Sequence, residues 1–251
     1  MISSRLRVRD CEYIKQKMLG RIQSWTTKSL SYAGRVQLAI SVMHGIHTYW
    51  ASIFIIPKQI LKEVDDVIRK FVWTGTEMKK TGAKVAWFEV CSPKKEGGLG
   101  IRSAVEWNKA SMMRHLWDIA RKKDSLWVKW RHVYMLKGRS LWGVDCAYNA
   151  SWTWRKLLKL RNIAIKCIKY KVGNGRNVFV WYDNWHDLDP LKLKFGQRLL
   201  YDAASCDDAR LAEYIIDNRW NMPAPISNAL AQIRCHMPNY LPYLEREGGL
   251  G

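Results

Sequence analysis

From Ile14 to Phe71 apolar side chains return every third or fourth residue, and that period commits the stretch to helices. Ile14, Met18, Ile22 and Trp25 form one stripe, while Lys15, Lys17, Arg21 and Lys28 take other faces. Ser31 is placed to cap a second helix, in which Val36, Ile40 and Met43 carry the stripe towards Trp50. Pro57 then breaks the chain and suits the first turn of a third helix. That helix bears Ile60, Leu61, Val64, Val67, Ile68 and Phe71, and Gly75 follows it.

The later signals are less regular. Residues 84–91 read as a short strand or a helical turn, and 93–100 as a glycine-rich loop. Residues 108–120 and 125–136 read as helices, with Trp117, Trp127 and Trp130 expected inside and Asp124 or Ser125 as the cap. Another short helix is expected at 151–161. Alternating apolar residues on both sides of Gly173-Asn-Gly-Arg176 predict a β-hairpin near 168–181. Helices are expected again at 208–216 and 227–233. The fold is therefore read as mainly α, with one short hairpin. Composition separates a helical region 1–75, a basic Trp-rich region 76–200 and an acidic helical tail 201–251.

Charge narrows the partner. Forty-two Lys and Arg against 22 Asp and Glu leave +20 over 251 residues, which points to a polyanion. The surplus runs through the first 200 residues and stops, since residues 201–251 hold four basic and seven acidic groups. Fourteen Trp are expected mostly in the core, the alternative being that some stack on bases or ribose. Val36 to Pro57 carries no charged residue, but Gln37, His44, Gly45, His47 and Thr48 sit in its middle. A buried helix fits it better than a membrane span. The six cysteines lack Cys-x-x-Cys or zinc-finger spacing and read as reduced intracellular thiols.

No catalytic or metal-ligating set is read from the residues, and no cofactor is expected. Asp65 and Asp66 look superficially like a polymerase carboxylate pair, yet they fall on the polar side of an amphipathic helix. Asp207 and Asp208 read as a cap and dipole partner of a following helix. Asp183, His186 and Asp187 could serve a hydrolase, but a polar loop explains them better. The stronger lead is basic and aromatic. Arg21, Lys28 and Arg35 flank Trp25 and Tyr32 near the start of the second helix, where backbone N–H groups would favour an anion. Lys79, Lys80, Lys84, Lys94 and Lys95 gather around two loops. Arg155, Lys156 and Arg176 belong to a third basic run.

The order of short motifs resembles a known family. Trp25, Leu30-Ser-Tyr-Ala-Gly-Arg35, Tyr49-Trp50, Pro57 and Phe71-Val-Trp73-x-Gly75 open the series. Lys84-Val-Ala-Trp87, Val90-Cys-Ser-Pro-Lys94, Gly97-Gly-Leu-Gly-Ile101, Trp107-Asn108 and Ser125-Leu-Trp127 continue it. Ser151-Trp-Thr-Trp-Arg155, Gly173-x-Gly175, Trp181-x-Asp183-x-Trp185 and Pro190-Leu191 close it. Together they resemble the segment after the palm in plant LINE-type (non-LTR) retrotransposon reverse transcriptases.

The resemblance implies a primer–template-gripping thumb up to about residue 75, then a connector that precedes a zinc-binding region in longer relatives. It implies no fingers, palm or catalytic carboxylates, hence nucleic-acid binding without sequence specificity and without polymerase activity. Ser31, Gly34 and Arg35 would open the helix nearest the backbone, with Arg21 and Lys28 beside them. Lys94, Lys95, Arg155, Lys156 and Arg176 complete the candidate contacts with RNA, RNA–DNA hybrid or DNA. Localisation would be intracellular, and nuclear if the likeness holds. The alternatives are a structural subunit that completes a palm-containing polymerase in trans, or a retroelement remnant without function.

Overall fold

The computed structural model describes residues 7–25, 30–78, 85–216 and 219–237, and it is mainly α-helical. Contacts divide the chain into two compact units, Met1–His115 with Tyr148–Leu160 and Leu116–Ala147 with Arg161–Gly251.

The first unit is built on the expected stripe. Helix α1 (Val8–Gln23) packs along α4 (Lys58–Thr74), with α2 (Tyr32–Leu38) and α3 (His44–Ile53) against the pair. Ile14, Met18 and Ile22 from α1 meet Ile60, Val64, Ile68 and Phe71 from α4 in one buried cluster. Each such side chain contributes about 1.5–3 kcal/mol on burial. A π-helical turn, Ala39–Met43, joins α2 to α3, and its Ala39 and Met43 both lie in the core. Ser31 caps α2 as expected, accepting the Gly34 N–H at 3.2 Å. Pro57 stands just before α4, and Gly75 ends it at φ 67°. Among the described residues no helix is long and apolar enough to cross a membrane.

Two buried polar side chains join distant parts of this unit. Asn108, on α6 (Ala104–Ala120), donates its amide to the Ala51 and Phe54 carbonyls at the end of α3. Its Oδ1 accepts the Ile56 N–H at 3.2 Å, so one side chain completes the backbone bonding of a helix end. Asp65 does not lie on a solvated face. It is 8% exposed and accepts the Ala104 N–H at 2.8 Å and the Ser103 hydroxyl at 3.0 Å. A carboxylate on α4 thus caps the start of α6 from 39 residues away. Asp66 keeps the surface role and pairs with Arg69.

The 84–91 ambiguity resolves to a helix, α5 (Trp87–Cys91). The loop after it folds back tightly, with Leu99 N–H bonded to Val90 O and Gly100 N–H to Ser92 O. A Cβ on Gly98 would stand 2.0 Å from Ser92 O, so only glycine fits there.

The second unit is organised by Trp181-x-Asp183-x-Trp185. Trp181 donates to Ser205 Oγ and Trp185 to Val180 O, so both indoles are buried with their N–H groups partnered. Trp181 meets Tyr214 edge-on, and Trp185 stacks on Trp220 at 5.6 Å between centroids. Asp183, Asn184 and His186 are 3%, 2% and 2% exposed, so the segment expected as a polar loop is a buried hub. Asp183 accepts the Phe179 N–H at 2.9 Å and the Ser140 hydroxyl at 3.4 Å. His186 accepts the Leu188 N–H at Nδ1, which leaves Nε2–H to donate to Ile233 O; the ring is neutral.

The hairpin expected at 168–181 does not form. Val178–Val180 pairs with residues 209–211 instead, through Leu211 N–H to Val178 O, Val180 N–H to Ala209 O and a bridge from Phe179 to Arg210. Tyr170 meanwhile donates its N–H to Asn184 O. The Asn-Gly turn is real: Arg176 N–H bonds Asn174 Oδ1, and Gly175 has φ 72°. A Cβ on Gly175 would lie 2.6 Å from Ala212 N, because the 3-10 turn Leu211–Tyr214 crosses it. The two-stranded sheet lies at β1 (Ile215–Ile216) and β2 (Arg219–Trp220), within and beyond the helix expected at 208–216, where Leu211–Tyr214 is 3-10. The last expected helix is present as α11 (Asn228–Cys235), capped by Ser227.

Two pH responses follow from the buried groups. His44 and His47 pack ring to ring at 5.0 Å, and burial holds both near 4, well below 6.5. Both are therefore neutral in the fold, and their contribution is complete above pH 6.5 and lost as pH falls towards 4. Tm should fall steeply across that window in thermal scans, and His47→Gln should flatten the slope. Asp183 has the opposite sign, because burial pushes its carboxyl up to about 7. Its contribution is complete below the ordinary value of 3.8 and lost as pH rises through 7. Asp183→Asn should therefore raise Tm relative to the parent at pH 8 and not at pH 5, measured by the same scans.

Candidate nucleic-acid interface

The predicted contact residues fall on three local platforms in the first unit and one turn in the second. The first platform is the junction of α1 and α2 with the end of α4. Trp25 packs on Phe71 at 5.3 Å and Tyr32 on Trp73 at 5.7 Å, two positions apart on α4. These two aromatic contacts bring the chain just past α1 and the first turn of α2 to the same helix end. Arg21 is exposed there, with its carbonyl taking the Ser24 hydroxyl. Ser31 and Gly34 form the cap. Lys28 lies outside the described residues, as do Lys79, Lys80 and Lys84.

Arg35 has an internal role that its sequence context does not show. It is half-buried, donates from one guanidinium nitrogen to Trp73 O at 3.2 Å, and lies 5.8 Å from the Tyr32 ring. A cation at the carbonyl end of α4 complements the helix dipole, worth about 0.3–1 kcal/mol when exposed and more when partly buried. The bare Gly75 leaves room for it, since a Cβ there would meet the guanidinium at 3.3 Å.

The second platform is the 3-10 turn Lys94–Glu96, which exposes Lys94 and Lys95. Its shape is fixed by the tight return past Gly98, and the Lys94 stem lies along Gly100. The third is the outer face of α8 (Trp152–Cys167). Trp154, Leu157 and Leu158 turn inward while Arg155 and Lys156 stay exposed, with the Lys156 ammonium 5.7 Å from the Trp152 ring. Arg176 is exposed on the Asn-Gly turn of the second unit. Lys94, Lys95, Arg155, Lys156 and Arg176 enter no ion pair among the described residues.

Most of the fourteen Trp are buried or half-buried, as expected. Trp117 and Trp130 are exceptions, each 44% exposed rather than inside. A second π-helical segment, Arg131–Leu136, explains Trp130. It follows α7 (Leu126–Trp130), whose Val128 is buried, and buries its own Arg131 and Leu136, while Trp130 and Tyr134 lie together outside at 5.5 Å.

Sequence reasoning missed a further basic group in the second unit: Lys122, Lys137, Arg139 and Arg210, which line one cavity. They are scattered over 89 positions, and only the fold gathers them. The available signal was lysine just past the ends of two helical patterns, one of them immediately before Gly138. Among the described residues no three His, Cys, Asp or Glu side chains converge as a metal site.

No family model matches the chain, and no solved structure matches it. Two proteins of Arabidopsis thaliana are similar to it. It is 25% identical over 142 residues to an uncharacterized mitochondrial protein, across 56% of this chain and 92% of that protein. It is 34% identical over 193 residues to a putative ribonuclease H protein; that likeness covers 74% of this chain, which spans 30% of the relative's length.

Proposed function

We propose that this chain is the thumb-and-connector portion of a plant LINE-type reverse transcriptase. On this reading it grips nucleic acid through phosphates, without sequence preference and without polymerase chemistry of its own. The observation that carries the reading is a set of exposed basic residues on preformed turns and helix faces that enter no ion pair among the described residues: Lys94, Lys95, Arg155, Lys156 and Arg176. Phosphate contacts need such cations at fixed positions and carry no base information. A helical scaffold that contacts phosphates suits recognition of RNA–DNA hybrid by shape.

The likeness to a longer protein named for ribonuclease H supports a nucleic-acid partner and a retroelement context. That protein's own activity is not assigned to this chain. Palm chemistry would need carboxylates gathered around metal ions. Here Asp65 caps α6 and Asp66 pairs with Arg69, so neither is offered as a catalytic group.

Fluorescence anisotropy against labelled RNA–DNA hybrid, duplex DNA and single-stranded RNA tests the reading. The hybrid should bind tightest, and scrambling its sequence should leave its affinity unchanged. Lys94→Gln with Lys95→Gln, and Arg155→Gln with Lys156→Gln, should each weaken all sequences about uniformly at unchanged Tm. Unaltered affinity in both double variants would remove these platforms from the interface.

A further inference from the structure

The cavity in the second unit has a volume of about 430 Å³, inside the range of about 300–1,000 Å³ usual for small-molecule sites. Four cations line it. Arg210 lies 3.6 Å from the Phe179 ring centroid and donates to Gly138 O at 3.0 Å, so its guanidinium is held in place. Arg139 and Lys137 come from the turn that ends the π-helical segment, and Lys122 from the turn that ends α6. None of the four is in an ion pair among the described residues.

The two lysines carry the inference furthest. Lys122 has φ 51° and Lys137 φ 50°, the left-handed conformation that helix ends usually give to glycine. The α6 end has the full double-bonded form, with Lys123 N–H to Asp118 O and Lys122 N–H to Ile119 O. A side chain there is strained relative to glycine, and two independent helix ends accept that strain with the same residue type. Both lysines line the same cavity.

One carboxylate, Asp183, is on the wall. It is turned to the Phe179 N–H and the Ser140 hydroxyl, and burial pushes it up to about 7, so at neutral pH it offsets less than one of the four charges. Lys122 donates to Asn177 Oδ1 on the same wall, and burial and the charge of Arg210 hold it below its usual range against the opposing pull of Asp183. Val133 and Leu136 give the cavity an apolar side.

We propose that this cavity binds a nucleotide phosphate, with Lys122, Lys137, Arg139 and Arg210 holding the anion and Val133 and Leu136 against sugar or base. The four cations of this site are none of the candidate backbone contacts, so the proposal does not rest on the backbone grip. The phosphate could be that of a free nucleotide or of a strand's 5′ end.

Isothermal titration with adenosine 5′-monophosphate, inorganic phosphate and adenosine tests it on the full chain. The monophosphate should bind one to one, and adenosine at least about tenfold more weakly. Lys122→Gly with Lys137→Gly should weaken the monophosphate about tenfold or more while raising Tm, because glycine relieves the strain. Arg139→Gln, away from the left-handed positions, should also weaken it at unchanged Tm. Short RNA with a 5′-phosphate is compared with its 5′-hydroxyl form. A preference for the phosphate identifies a strand end, and equal affinity with the monophosphate still bound identifies a free nucleotide. The 5′-hydroxyl RNA reports the backbone grip by itself. A folded protein that binds neither monophosphate nor phosphate overturns the proposal, as does monophosphate affinity unchanged in both variants.

Discussion

Mutual repulsion among twenty surplus cations is the constraint under which both units are built. Each unit answers it by keeping Lys and Arg at the periphery of an apolar cluster. The buried charged side chains among the described residues make the asymmetry plain: Asp65, Asp118 and Asp183 are inside with one guanidinium, Arg131. Asp118 pairs with Arg121 and Lys123, but Asp65 and Asp183, which could have neutralised surface lysines, serve instead as an internal cap and a hub. The exterior is therefore more positive than the composition alone implies.

Where the cations do point inward, they do structural work at carbonyl-rich ends. Arg35 holds the end of α4 through Trp73 O, and Arg161 donates to Leu141 O and Val144 O. Lys122 and Lys137 occupy helix ends without that reward, in a conformation that favours glycine. The same residue types thus divide into those that stabilise a helix end and those held against local preference. The second kind marks the cavity.

Local signals in the sequence were read correctly because their causes are local. The Ile14–Met18–Ile22 stripe, the Ser31 and Ser125 caps, and the Pro57 and Gly75 boundaries depend on neighbours within a turn or two. The mainly α fold follows from them. Asn174-Gly175 was legible as a turn, but which strand would pair with Val178–Val180 was not, since residues 209–211 compete from thirty positions away. Asp65 misled for the same reason, because its partner is the start of α6. Of the candidate site, exposure of Lys94, Lys95, Arg155, Lys156 and Arg176 was legible from patterning. The half-burial of Arg35 and the assembly of the cavity were not, as both arise from tertiary contacts.

The central claim is that these exposed surface cations grip phosphates. The most direct measurement is the affinity of the full chain for RNA–DNA hybrid across a range of salt concentrations. Each phosphate neutralised on a duplex should contribute about −0.9 to the slope of log K against log salt. The account requires a linear fall with a slope of several units. A flat dependence, or no binding at low salt by a folded and monodisperse protein, would contradict it.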